Sequence, residues 1–284
     1  NHPKAKQISG KVIKKKHKPL HHTCKPCSIL CGHKGTFNGK TASVPEHETL
    51  AILGSSLGIF DPNEISKFND FCNQKGLDTI TSGGTLAWAM EATQKGLIKS
   101  NLKFGSPDEI ITALESIANC KGFGKEMAKG SRALSEKFGG KGFAIQVKGL
   151  EMAGYDPRGS YGHGLGYAVA NKGACHLSSF LVAFENILGF LKPDTFRSKP
   201  EFIIFMENLN AAINSMVFCQ FTEFGMILET FIIRLTPPFI LQFVMQNIPV
   251  LAIALIDFSL YPKLFSAASG IPLSSKQFIQ TGER

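Results

Sequence analysis

The chain has 284 residues, 43% of them apolar and 19% charged, and 31 Lys and Arg against 22 Asp and Glu give a net charge of +9. That length holds one large or two ordinary domains, each with its own core, in an ordinary globular composition. Seven cysteines, an odd number without secreted-scaffold spacing, argue against a disulfide framework and for a reducing cytoplasm; the lysine-rich start lacks the apolar stretch of a signal peptide. The first residue is Asn rather than Met, the mark of a trimmed or incomplete sequence.

The charge is concentrated at the start. No acid precedes Glu46, while Lys4, Lys6, Lys11, Lys14, Lys15, Lys16 and Lys18 crowd the first segment. Such a stretch suits phosphates, an anionic cofactor or plain solvation. It leads into His-His-Thr-Cys-Lys-Pro-Cys-Ser-Ile-Leu-Cys-Gly, in which Cys24, Cys27 and Cys31 form a C-x2-C-x3-C loop. Short spacers let several thiolates converge on neighbouring irons, but a [4Fe–4S] cube needs a fourth cysteine from elsewhere. Zinc competes, because His17, His21, His22 and His33 lie close by and imidazole and thiolate both suit it. Spacing alone leaves the two metals open.

Helical grammar follows. Asp61-Pro62-Asn63-Glu64 reads as an N-cap, a proline at the first helical position and a glutamate closing a capping box, with Gly76 as the stop. Ser106-Pro107-Asp108-Glu109 repeats the pattern. Thr85 to Gly96, Lys125 to Phe138 and Pro200 to Phe218 are further helices, glycine pairs mark turns, and strand-like alternation is nearly confined to Gly142 to Leu150. The chain is expected to be mainly α. Gly162-His163-Gly164-Leu165-Gly166 follows no convincing strand and has the wrong spacing for a Rossmann fingerprint. From Leu235 to Ile256 no charge occurs, but Pro237, Pro238 and Pro249 interrupt the run and Gln242, Gln246 and Asn247 need polar partners. A buried or lid-forming helical pair, not a membrane span, is expected there.

Several blocks carry a family resemblance. Glu48-Thr49-Leu50, Gly54, and Asn69 through Gly84 resemble the aldehyde ferredoxin oxidoreductase family, as do Lys148-Gly149-Leu150-Glu151 and Tyr155-Asp156-Pro157-Arg158-Gly159. Gly164 to Ala168, Asn171-Lys172-Gly173-Ala174-Cys175-His176 and the terminal Gly282-Glu283-Arg284 continue the likeness in the family's order. The resemblance implies two helical domains like domains 2 and 3 of that family, over 1–145 and 146–284. It also implies that the N-terminal β-rich domain cradling a pterin pair is missing and that the last helices are cut short.

The resemblance further implies a set of roles. Cys219 stands at the end of a D-x-x-G-L-C motif, here Asn214-Ser215-Met216-Val217-Phe218-Cys219, and joins Cys24, Cys27 and Cys31 around a [4Fe–4S] cluster. The related D-x-x-G-L-D motif appears as Asn73-Gln74-Lys75-Gly76-Leu77-Asp78. Asn73, Leu77, Asp78, Asn214 and Phe218 are thereby expected to contact a tungsten-bis-pterin, with molybdenum as the alternative metal. Asn replaces the first Asp in both motifs, and an amide both donates and accepts where a carboxylate only accepts. His176 and Glu48, with Glu46 as the fallback, take the acid–base roles of a reaction oxidising aldehydes to carboxylic acids and passing electrons to ferredoxin. Homodimerisation is left open, and neither nucleic acid nor membrane is expected as a partner. The alternatives are a zinc-stabilised basic nucleic-acid-binding module and an inactive fragment. Cys72, Cys120 and Cys175 read as core cysteines.

Overall fold

Helices carry most of the fold, in the computed structural model as in the sequence reading, over residues 2–25, 27–223, 225 and 231–283, with the side chains of 231 and 232 set aside. The chain divides into two compact units, Asn1–Gly154 and Tyr155–Arg284. In the first, the helices Pro62–Lys75, Thr79–Gln94 and Pro107–Ala118 enclose a core of Leu53, Ile65, Phe68, Leu86, Trp88 and Leu114. Asp61 caps its helix by accepting from the Asn63 N–H at 2.9 Å. The expected capping box does not close, because Glu64 turns to Lys67 at 2.7 Å.

Two further expectations are corrected by close packing. The helix expected from Thr85 begins at Thr79, where the Asp78 carboxylate accepts from the Thr81 N–H at 2.6 Å. Gly83 and Gly84 therefore lie inside a helix rather than in a turn. A Cβ on Gly83 would sit 2.6 Å from Ile52 Cγ2, and one on Gly84 2.8 Å from Glu151 Cγ. The helix expected from Lys125 to Phe138 is two, Gly124–Met127 and Gly130–Phe138, broken at Gly130 with φ +83°. The break aims a helix N-terminus at the buried Glu151, whose Oε1 accepts from Ser131 N–H at 2.7 Å and Ser131 Oγ at 2.8 Å.

Strand is more widespread than the alternation signalled. Besides the hairpin Gln146–Val147 (β4) and Leu150–Glu151 (β5), a three-stranded antiparallel sheet joins Leu20–His21 (β1), His33–Phe37 (β2) and Lys40–Ser43 (β3). Its tight turn is Asn38-Gly39, both with positive φ, the residue pair that such a two-residue hairpin favours.

In the second unit, the long helix Lys199–Ser215 packs with Tyr161–Val169 and Ser275–Gly282 over Leu181, Phe184, Phe202 and Phe278. Lys199 is 1% exposed and meets the buried Glu185 carboxylate at 2.5 Å, donating also to the Lys192 carbonyl at 2.6 Å. Glu185 accepts in addition from Gly162 N–H at 2.8 Å, His163 N–H at 3.0 Å and Ser160 Oγ. The Gly162-to-Gly166 run is helical; a Cβ on Gly162 would lie 2.5 Å from Leu181 Cδ2.

The uncharged run after Leu235 forms two short helices, Pro238–Asn247 and Pro249–Ala254, and among the described residues no helix is long and apolar enough to cross a membrane. Gln246 supplies the polar anchor: it accepts from Lys192 N–H at 3.0 Å and donates to Thr195 Oγ1 at 2.9 Å. Met245, Ala252 and Ile256 are buried, whereas Phe239, Phe243 and Val250 are exposed. The pair is thus buried on one side only.

Two helices end alike. After Pro62–Lys75, Gly76 is left-handed at φ +67° and the Leu77 N–H reaches back to the Cys72 carbonyl at 2.9 Å. After Lys199–Ser215, Val217 takes φ +59° and the Phe218 N–H reaches back to the Ile213 carbonyl at 3.3 Å. A β-branched residue is strained there, by about 1–2 kcal/mol. Val217 is also 91% exposed and so contributes little packing. Val217→Gly removes that strain against glycine's larger chain entropy of about 0.5–1 kcal/mol. A net stabilisation of about 0.5–1 kcal/mol is expected in chemical denaturation; a loss of stability would show that the valine side chain holds the turn.

Burial also sets a pH dependence. His163 is 1% exposed, lies edge-on to Tyr155 and Tyr167, and has no hydrogen-bond partner on either ring nitrogen among the described residues. Burial, reinforced by His176, pushes its pKa from 6.5 down to about 3. The unfolded chain therefore binds more protons across that window, and stability falls as pH drops from 6.5 toward 3. His163→Phe should lose less stability than the parent between pH 7 and about 4, read as urea midpoints. Parallel curves would mean the imidazole is not held neutral.

Candidate functional site

The cysteine loop hangs between β1 and β2, its neck closed by the His22 N–H on the Gly32 carbonyl at 2.9 Å. Within it the Cys27 N–H bonds the Cys24 carbonyl at 2.8 Å, a tight turn that brings two ligand positions onto one arc. Cys24 and Cys31 are exposed and Cys27 is half-buried. The Ile29 N–H points at Cys27 Sγ from 3.4 Å, and with the Leu30 N–H it lowers the thiol's pKa. Backbone donors aimed at sulfur favour the thiolate, which is the form that binds iron or zinc. Among the described residues no three His, Cys, Asp or Glu side chains are gathered closely enough to hold a metal ion. The donor set nonetheless fits a thiolate-bound cluster in kind, since the inward geometry of such loops comes largely from the metal bonds themselves.

The neighbouring histidines are partly committed elsewhere. His17 is buried, its Nδ1 2.8 Å from the Thr36 carbonyl and its ring stacked on Phe37 at 4.2 Å. His21 and His33 face one another at 4.6 Å, each Nδ1 against a carbonyl of the cysteine loop.

The two sequence motifs lie at the paired helix ends, one in each unit. Asn73 and Asp78 are exposed and Leu77 is half-buried against the first core. Asn214 and Cys219 are exposed, and Phe218 packs 5.8 Å from Tyr261. Asn214 borders a polar cavity of about 290 Å³ shared with Asn171, Lys172 and Asn210. The buried Asn210 Oδ1 has no partner among the described residues, so the cavity offers an acceptor to a ligand's N–H or O–H donor. Cys72 is fully buried and its thiol is pushed up to about 11 by burial and then by Asp78, which makes it a core residue. Cys120 is exposed at φ +49°, contrary to the core reading, and Cys175 is intermediate.

Glu48 belongs to the first unit and His176 to the second. Glu48 stands in the one-turn helix His47–Thr49, which runs into Leu50–Gly54, while Glu46 is the exposed N-cap. The neighbouring Thr49 hydroxyl meets Thr79 at 3.0 Å, tying the Glu48 turn to the helix that Asp78 starts. A cavity of about 510 Å³ is bounded by Ile8, Ile13, His33, Pro45, His47 and Leu50, between the N-terminal helices and the His47–Thr49 turn. His176 is half-buried in a turn beyond the helix that ends at Val169, not on a helix, and its ring lies 5.9 Å from Tyr155.

Sequence reasoning missed Glu223, four positions beyond Cys219. It is 2% exposed and burial pushes its carboxyl up to about 8, so it stays protonated near neutrality. Its position in an apolar stretch was the only available signal. Arg284 of the terminal block lies outside the described residues, while Gly282 packs against the Asn208 backbone.

The chain has clear relatives. The tungsten-containing aldehyde ferredoxin oxidoreductase of Pyrococcus furiosus is 38% identical over 238 residues, 79% of this chain and 39% of that protein. Its namesake from Thermococcus kodakarensis is 37% identical over 235 residues, 78% and 38% of the two chains. The aliphatic sulfonate oxidoreductase, WOR-like subunit, of Pyrococcus furiosus is 28% identical over 170 residues, 55% and 27%. The chain thus spans about two fifths of the length of the first two relatives. The active-site complex BamBC of benzoyl coenzyme A reductase shares the fold, with a TM-score of 0.68 at 16% identity over all of this chain and 46% of that one. A family model described as aldehyde ferredoxin oxidoreductase, domains 2 & 3, matches residues 1–284, and the chain belongs to that family of oxidoreductases.

Proposed function

We propose that this chain supplies the helical part of an enzyme oxidising aldehydes to carboxylic acids, with electrons leaving through a [4Fe–4S] cluster to ferredoxin. The observation that carries the reading is the cysteine loop, where the Ile29 and Leu30 N–H groups favour the Cys27 thiolate. Cys24, Cys27, Cys31 and Cys219 would hold the cluster. Asn73, Leu77 and Asp78 at one helix end, and Asn214 and Phe218 at the other, would line one side of a tungsten- or molybdenum-bearing pterin pair. When bound, the pterin-held metal supplies a two-electron acceptor and the cluster a one-electron outlet.

This chain's own task is the proton. Aldehyde plus water gives acid, two electrons and two protons, so a base must take a proton from the attacking water. His176 suits it, because imidazole titrates in the useful range. Its half-buried turn beside Tyr155 restricts the ring without removing it from solvent. Glu48, at the start of a helix, is the second group proposed to orient water or accept the released proton.

Metal content tests the cluster. Full-length protein carrying this chain, purified without oxygen, should contain about four irons and four acid-labile sulfides, and Cys27→Ser should lose most of both. Stoichiometric zinc without sulfide would replace this reading with the zinc-stabilised one.

The proton step is tested separately. His176→Ala should lower turnover with an aldehyde and a viologen dye by about 10²–10⁴ while leaving the cluster's absorbance unchanged. An unaltered turnover number would assign the histidine a purely structural part.

A further inference from the structure

The lysines of the first segment are used by nothing described above. Lys4, Lys6, Lys11, Lys14, Lys15, Lys16, Lys18 and Lys25 are all exposed, and among the described residues none of them forms an ion pair. They are held on a fixed support. The helix Gly10–His17 is seated through Ile13, 4% exposed, and through His17, bonded to the Thr36 carbonyl and stacked on Phe37. Lys18 then passes directly into β1, and β1 into the cysteine loop.

The geometry points to this face as the docking surface for an acidic, cluster-carrying electron-transfer protein of the ferredoxin class. The proposal rests on the reading that the adjoining loop holds a redox cluster. Lys11, Lys14 and Lys15 stand three and four positions apart in the helix Gly10–His17, which makes them neighbours on its surface. Their mutual repulsion is uncompensated in the free chain and is relieved by an acidic partner, which also gains rate of encounter. The loop adds what a protein interface needs at its centre. Leu20 in β1 is 76% exposed, and Leu30, turned out at φ +56° between Cys27 and Cys31, is 42% exposed. Apolar points ringed by charge are the usual anatomy of a protein contact. A nucleic-acid strand would instead want aromatic platforms. The single aromatic residue in the first 40, Phe37, is 4% exposed and already covered by His17.

The test uses full-length protein carrying this chain, its Lys14→Gln/Lys15→Gln/Lys16→Gln variant, and Leu20→Ser. An acidic ferredoxin is titrated by calorimetry at several salt concentrations, and turnover is followed with ferredoxin and with a viologen dye. The triple variant should bind ferredoxin about tenfold more weakly at low salt, with a shallower salt dependence and a raised KM for ferredoxin. Its viologen rate and circular dichroism should equal the parent's. Leu20→Ser should weaken binding at every salt concentration. Unchanged ferredoxin affinity in the triple variant overturns the proposal. So does a short DNA duplex that binds the parent and is released by the triple variant while ferredoxin binding stays the same. A parent without viologen activity overturns the oxidoreductase reading, and calorimetry still decides the docking surface.

Discussion

Each unit is organised around a glutamate removed from water and held at the start of a helix. A buried carboxylate is destabilising unless donors surround it. In the first unit Glu151 lies against Gly84, Gly130 and the Ser131 N–H; in the second, Glu185 lies against Gly162, the His163 N–H and Lys199. The glycines follow from the glutamates. A carboxylate cannot reach a helix N-terminus, or the flank of a packed helix, past a Cβ. Lys199 adds a full charge to the second arrangement, and its remaining contact with the Lys192 carbonyl ties the loop before the long helix to that helix's first turn. A buried pair of this kind is weak evidence for net stability, but losing one partner strands the other. Geometry is what the two glutamates secure.

The two motifs sit at the ends of other helices, Pro62–Lys75 and Lys199–Ser215, of which the second begins at Lys199, the partner of Glu185. Gly76-Leu77-Asp78 and Val217-Phe218-Cys219 share one construction: a left-handed residue stops the helix, a large apolar side chain pins the turn to the core, and the third residue faces outward. In the first case that residue is a carboxylate which starts the next helix; in the second it is a thiol. One backbone device thus presents a carboxylate in one unit and a thiol in the other. The strain at Val217 belongs to this device, since the turn needs a left-handed residue and the sequence supplies a β-branched one.

Much of this was legible in the residues, for physical reasons. Asp61-Pro62 and Gly76 announce a helix because capping and the left-handed stop are local. The cysteine loop is legible because three thiols that close together have few other uses. What escaped was non-local. Gly83-Gly84 reads as a turn until Ile52 and Glu151 press against both glycines, and Gly130 breaks a helix only because Glu151 lies 3.0 Å from where a Cβ would be. The β1–β3 sheet hid because its strands are short, basic and poorly alternating. His176 lies in a turn, because the helix before it stops at Val169, with Ala170 and Gly173 leading into turns. The family blocks supply candidate site residues without showing any of these causes.

The departures from the family pattern share a direction. Asn73 and Asn214 replace acids, Val217 replaces glycine and Phe218 replaces leucine, all at the two helix ends and none in the cysteine loop. An amide in place of a carboxylate removes a negative charge and adds a donor. On the proposed reading, such a change would retune contacts to a pterin, whose ring edge both donates and accepts, rather than abolish them. Beyond Cys219 the chain turns apolar, buries Glu223 in its protonated form, and exposes Phe239, Phe243 and Val250. One amide thus stands at a helix end in each unit, Asn73 in the first and Asn214 in the second, while the cysteine loop of the first holds its backbone donors and exposed lysines together. Electron exit and substrate chemistry place different demands on the protein. A cluster loop needs fixed sulfur geometry and a charged approach, while the cavity around an organic ligand tolerates exchange of one polar group for another. On the proposed reading, the departures fall at the two helix ends and spare the cysteine loop.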